Sequence, residues 1–169
     1  MKGLLFLQPG CFPAIFMSLT TPLFQRERMI RFSDCDPAGI VFYPQYFIMF
    51  NGLIEDWFNE GLKVGYRRTL IARRIGVPTV KIEAEFKAIS NMGDPVRLML
   101  DVERLGGRSL TLLMRCVGKD DGVLRMSIRQ VLVTTDLNTH KAIAIPEDIR
   151  MAIEQSVRLP QDAIQTAQT

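Results

Sequence analysis

Histidine is nearly absent: His140 is the only one in 169 residues, and Cys11, Cys35 and Cys116 are the only cysteines. The cysteines show neither CxxC spacing nor a framework pattern, which argues against a thiolate metal site and for a reducing, cytoplasmic setting. No GxSxG occurs, so a nucleophile elbow is excluded. No apolar run approaches the length that spans a bilayer. The early run Leu4-Leu5-Phe6-Leu7, after Lys2, is stopped by Gln8-Pro9-Gly10 short of the apolar core of a secretory leader, and no clear small-x-small cleavage pattern follows. Charge of one sign is lacking too. Twenty-one Lys and Arg stand against 18 Asp and Glu, interleaved along the chain, with a pI of about 8.9. That balance is too mild for a nucleic-acid binder that neutralises phosphates, and it suits a small anionic ligand better. Internal repeats and low-complexity stretches are also missing.

What is present is an ordinary globular composition, 47% hydrophobic and 23% charged, enough for one domain with one sizeable core. That domain is expected over residues 23–158. Residues 1–22 read as a flexible extension, with Met17 as a second possible start, and residues 159–169 as a flexible tail.

Phe24 to Phe32 partly alternates and predicts a strand, ended by the turn-forming cluster Ser33-Asp34-Cys35-Asp36-Pro37-Ala38-Gly39. Phe47, Phe50, Leu53, Ile54, Trp57 and Phe58 then recur at three- and four-residue spacing. They predict a buried helix with Pro44 in its first turn and Gly61 just past its end. A short basic helical piece spans Arg67 to Arg74. Val80, Ile82, Ala84, Phe86 and Ala88 alternate with charged residues as a half-buried strand should. Turns at Asn91–Pro95, Gly106–Arg108 and Asp120–Gly122 set off strands over Val96–Val102, Leu110–Val117 and Val123–Thr135, giving a four-stranded antiparallel meander. Pro146-Glu147-Asp148 opens a last helix with Ile149, Ile153 and Val157 on one face. The fold class is therefore α+β, a sheet with its apolar face covered by a helix.

Asp34 and Asp36 flank Cys35 in the loop before the long helix. Taken alone, Asp beside Pro and Gly is most often a turn or capping residue. A helix N-terminus, however, offers free N–H groups and partial positive charge to a developing oxyanion, and a carboxylate on the preceding loop can supply a nucleophile or base. A Cys35–His140 pair rests on one coincidence of residue types. Phe42, Phe47 and Phe50 read as packing, and Met49, Met92 and Met99 as core filling.

The stretch Asp34-Cys35-Asp36-Pro37-Ala38-Gly39-Ile40-Val41-Phe42-Tyr43-Pro44-Gln45-Tyr46 resembles the signature of the 4-hydroxybenzoyl-CoA thioesterases of the hot-dog superfamily. The order of elements from Phe24 to about Val157 agrees with that fold, in which an antiparallel sheet of about five strands wraps a long central helix. The resemblance implies an acyl-CoA thioesterase needing no cofactor, with Asp36 as nucleophile or general base and the Tyr43 amide polarising the thioester carbonyl. Asp34 would anchor the loop. Arg108 and Ser109, in Gly106-Gly107-Arg108-Ser109, occupy the place of the family's basic turn for the nucleotide end of CoA, a looser match with Arg104 as a second candidate. The family assembles as edge-to-edge dimers, often paired into tetramers. An aromatic acyl group of the benzoyl or 4-hydroxybenzoyl type is the implied substrate. Two alternatives stay open: a short-chain acyl-CoA or acyl-carrier-protein thioesterase, whose branch usually has His where Tyr43-Pro44 stands here, and a non-catalytic acyl-CoA-binding module.

Overall fold

A computed structural model describes residues 21–166, with side chains described to Val157. The expected N-terminal extension therefore lies outside the described residues apart from Thr21 and Pro22, as does the very end of the tail.

Strands β1 (Phe24–Met29), β3 (Thr79–Phe86), β4 (Pro95–Leu105), β5 (Ser109–Gly118) and β6 (Leu124–Val133) form one sheet in the order β1-β4-β5-β6-β3, every pair antiparallel. Three two-residue strands, β2 (Ile75–Gly76), β7 (Thr135–Asp136) and β8 (Lys141–Ala142), make a small second sheet. Helix α1 (Tyr43–Asp56) lies on the apolar face of the large sheet, and α2 (Glu147–Thr166) closes one end with Ile149 and Ile153 buried. This is the hot-dog arrangement: an α+β sheet around one long helix.

Alternation builds the sheet's inner face. Val96, Leu98 and Leu100 of β4 face Leu110, Leu112, Met114 and Cys116 of β5 and Met126, Ile128 and Leu132 of β6, all buried. Against them α1 sets Tyr46, Met49, Phe50, Leu53 and Ile54, one stripe at helical spacing, continued by Trp57 and Phe58. Trp57 and Phe50 have no exposed surface, and burial on this scale contributes about 2–3 kcal/mol per large side chain.

The structure corrects several expectations. Strand β1 stops at Met29, because Phe32–Asp34 turn into a single 3₁₀ turn. The meander is broken: β3 crosses the sheet to pair with β6 and leaves β4 to β1, a long-range choice that local alternation does not encode. Strand β3, an edge of the sheet, is not half-buried but exposed on both faces, and meets α1 only where Phe86 reaches Tyr43 and Tyr46. The long helix winds into a π-helical turn at Trp57–Gly61, and Gly61 is needed there for proximity, because a Cβ would meet Trp57 Cδ1 at 2.5 Å. The basic piece forms a single π-helical turn, Arg68–Ala72. Met92 is 55% exposed and Phe42 46% exposed, so neither fills the core.

Candidate active site

The loop between β1 and α1 is a narrow antiparallel neck. Cys35 bridges to Val41, the Phe42 amide donates to Asp34 O at 2.9 Å, and the Asp36 amide donates to Ile40 O at 3.0 Å. The tip turns at Gly39, whose φ of +78° favours glycine, and the Gly39 amide returns to Asp36 O at 2.9 Å. A second segment clamps the neck from outside. In the β3–β4 connector, Ser90 O accepts from the Val41 amide at 3.0 Å, Asn91 bridges to Ile40, and the Met92 amide donates to Gly39 O at 3.0 Å.

The two aspartates have different surroundings. Asp34 is buried, and its Oδ2 accepts from Arg28 Nη2 at 2.7 Å and from the Arg31 amide at 2.8 Å, so this carboxylate is occupied in holding the loop. Asp36 is half-buried, and its Oδ1 accepts only the local Ala38 amide at 2.8 Å. Among the described residues its Oδ2 meets no donor.

Tyr43 is the first residue of α1. Of the amides at this helix start, Phe42 N–H is used by Asp34 O and Gln45 N–H by Phe42 O at 2.8 Å, and Pro44 has none. The Tyr43 amide is left without an acceptor among the described residues, at the positive end of the helix dipole. Tyr43 is also one of the residues lining a cavity of about 300 Å³ between the first turn of α1 and the end of β3, with Val41, Tyr46, Phe86, Ile89 and Ser90; Asp36 is not among its lining residues. Phe86 presents its ring to Tyr43 at 6.3 Å, edge to face, and to Tyr46 at 6.2 Å, so one wall is aromatic.

Cys35 is poorly placed as a nucleophile. Desolvation, then the carboxylates of Asp34, Asp36 and Asp94, push its thiol above the usual range, and its Sγ leans on Arg31 O at 3.5 Å. His140 sits in the β7–β8 turn with no bond to Cys35. Among the described residues no cluster of three His, Cys, Asp or Glu could hold a metal ion, and no helix is long and apolar enough to cross a membrane.

Asp36 lies near the tip of the closed loop, opposite Ile40, and Tyr43 at the helix start that the loop leads into; Arg108 and Ser109 lie elsewhere. Those two lie in and just after the β4–β5 turn, beyond the far end of β4, whereas the Asp36 loop packs on the connector before β4 begins. Eleven extended residues separate the two ends, on the order of 30 Å. Arg108 is exposed, and its carbonyl accepts from the Thr134 amide at 2.9 Å. Arg104 is also exposed, near the same end. A larger groove of about 470 Å³ runs between β1 and α1; Arg28 is paired there with Asp34 and Arg26 with Asp56 and Glu60, while the side chain of the third arginine lining it, Arg31, has no acidic partner among the described residues. Sequence reasoning read Asn91 to Pro95 as a turn, with Met92 as core filling, and did not single out Ser90, because nothing local marks these residues as the clamp on the Asp36 loop.

The fold and the loop that leads into its central helix are those of a hot-dog domain. The chain belongs to the thioesterase-like superfamily, whose profile matches residues 30–153. It is 26% identical to the 1,4-dihydroxy-2-naphthoyl-CoA hydrolase of Synechococcus sp. (strain CC9311) over 141 residues, 78% of this chain and 90% of that one. It is also 26% identical to the 4-hydroxybenzoyl-CoA thioesterase of Pseudomonas sp. (strain CBS-3) over 128 residues, 72% and 91% of the two chains. The fold matches that of a crystallised 1,4-dihydroxy-2-naphthoyl-CoA thioesterase from Synechocystis with a TM-score of 0.71 at 20% identity, covering 77% of this chain and 94% of that one.

Proposed function

We propose that this chain is an acyl-CoA thioesterase that hydrolyses a hydroxylated aromatic acyl-CoA of the benzoyl type to the free acid and CoA. The observation that carries the reading is the unused Tyr43 amide at the start of α1, beside a cavity with an aromatic wall and on the same closed loop as the open oxygen of Asp36. In this reading the amide and the helix dipole stabilise the oxyanion of the tetrahedral intermediate, and loss of one such donor costs about 10²–10³ in kcat. Asp36 either attacks the carbonyl carbon, giving an anhydride that water then cleaves, or takes the proton of an attacking water. Both routes break the C–S bond and release CoA as its thiol. The aromatic wall of Tyr43, Tyr46 and Phe86 favours a flat acyl group. Both sequence relatives act, by name, on hydroxyaromatic acyl-CoA esters.

The working unit in this reading is a homodimer joined through β3, or a tetramer of two such dimers. Strand β3 carries Ile82 and Phe86, 45% and 53% exposed, at a sheet edge with free backbone groups. A second copy would cover both the edge and the apolar face. It also supplies a route by which Arg108 and Ser109 reach a CoA phosphate, since within one protomer they lie a strand's length from Asp36. The test is thiol release by the purified protein from hydroxybenzoyl-, benzoyl- and short aliphatic CoA esters. Preference for the aromatic esters supports the reading, preference for aliphatic ones moves the chain to the short-chain branch, and CoA binding without turnover makes it a binding module.

A further inference from the structure

The hydroxyls of Tyr46 and Ser90 meet at 2.9 Å, the only side chain–side chain hydrogen bond among the described residues with both partners buried. A buried hydroxyl is unfavourable unless it is bonded, so the two groups stand or fall as a pair. Their position gives the pair a task. Tyr46 lies one turn into α1, three residues after Tyr43, with its ring in the core. Ser90 is the first residue of the clamp on the Asp36 loop, and its carbonyl accepts from the Val41 amide, two residues before Tyr43. Ser90 therefore grips the chain on both sides of the Tyr43 amide, by main chain before it and by side chain after it. The neighbouring contacts, Asn91 to Ile40 and Met92 to Gly39, continue the grip back toward Asp36.

We propose that the Tyr46–Ser90 hydrogen bond is a positioning latch that fixes the direction of the Tyr43 amide relative to Asp36, so that both address the same carbonyl. This rests on the thioesterase reading and names two positioning residues within it. The latch acts on the chemical step, because it orients groups that matter most when charge develops on the carbonyl oxygen.

The experiment compares Tyr46→Phe, Ser90→Ala and the double variant with wild type, measuring kcat and KM on the best acyl-CoA together with melting temperature. Since each change removes the same bond, the three variants are expected to lose kcat by a similar factor, about 10- to 100-fold, with KM within about threefold of wild type. Ser90→Thr keeps a hydroxyl at that position and is expected to restore most of the loss. If Ser90→Ala does not fold, Tyr46→Phe, which removes one oxygen and keeps the ring, carries the comparison alone. Folded variants with a lowered melting temperature but wild-type kcat would overturn the latch and leave the thioesterase reading intact. A wild-type protein that turns over no acyl-CoA at all would overturn that reading, and the latch with it.

Discussion

Arg28 and Asp34 meet at 2.7 Å at the mouth of the β1–α1 loop, and this pair, with the Arg31 amide on the same carboxylate oxygen, ties the end of β1 to the turn that delivers Asp36. One aspartate is spent on structure, which leaves the other, two residues on, with an open oxygen. The difference in their surroundings comes from geometry, since the two residues share a loop and a chemistry.

Replacing Asp34 by Ala removes two bonds to a charged acceptor and strands Arg28. A loss of about 2–4 kcal/mol of folding stability is expected, measured by urea unfolding, from bonds to charged groups of about 1.5–3 kcal/mol each. A variant as stable as wild type would show that the loop is held by the connector alone.

Cys35→Ala is expected to keep kcat within about threefold of wild type, because its thiol is held protonated by burial and neighbouring carboxylates. Cys116, buried and with its thiol pushed up to about 12 by desolvation, should resist thiol reagents until the protein unfolds. Abolished turnover in Cys35→Ala would restore the cysteine as a nucleophile.

Asp148 is held below its ordinary carboxyl range, first by hydrogen bonds from Arg73, which reach it at 2.7 and 2.9 Å and tie α2 to the turn at Arg68–Ala72. A depressed folded pKa means that the pair's contribution is full above the unfolded carboxyl pKa and fades as pH falls through the folded value. Wild type should therefore melt above Asp148→Asn at pH 7, by a small margin because the pair is exposed, and the two should converge in acid once pH falls below the lowered folded value. A gap that persists into acid would show that the side chain acts through packing.

Ile82→Lys places a charge on the inner face of edge strand β3, where a second copy is proposed to sit. The variant should elute as a folded monomer in size-exclusion chromatography with light scattering, and lose turnover if the site is shared. An unchanged assembly would move the interface elsewhere.

The helix and the strands were legible because their signals are local: apolar spacing from Phe47 to Phe58, alternation along β4 to β6, and turn residues between them. The crossing of β3 to β6 was not, since β3 alternates equally well beside either neighbour. Asp36 and Tyr43 were marked by a nearly continuous run of residues around them. Ser90 was hidden because its partners, Val41 and Tyr46, lie more than forty positions away. Arg108 shows the opposite case, in which the residue is easy to pick out but its distance from Asp36 appears only once β4 is laid out in space.

The most direct measurement is kcat for Asp36→Asn on the preferred aromatic acyl-CoA, alongside its melting temperature. Asn keeps the size of the side chain and can still accept from the Ala38 amide, so the loop should stay folded. The account predicts a fall in kcat of at least about 10³-fold with little change in melting temperature, as expected when the group that attacks or activates water is lost. Turnover near the wild-type rate in a folded Asp36→Asn protein would contradict it.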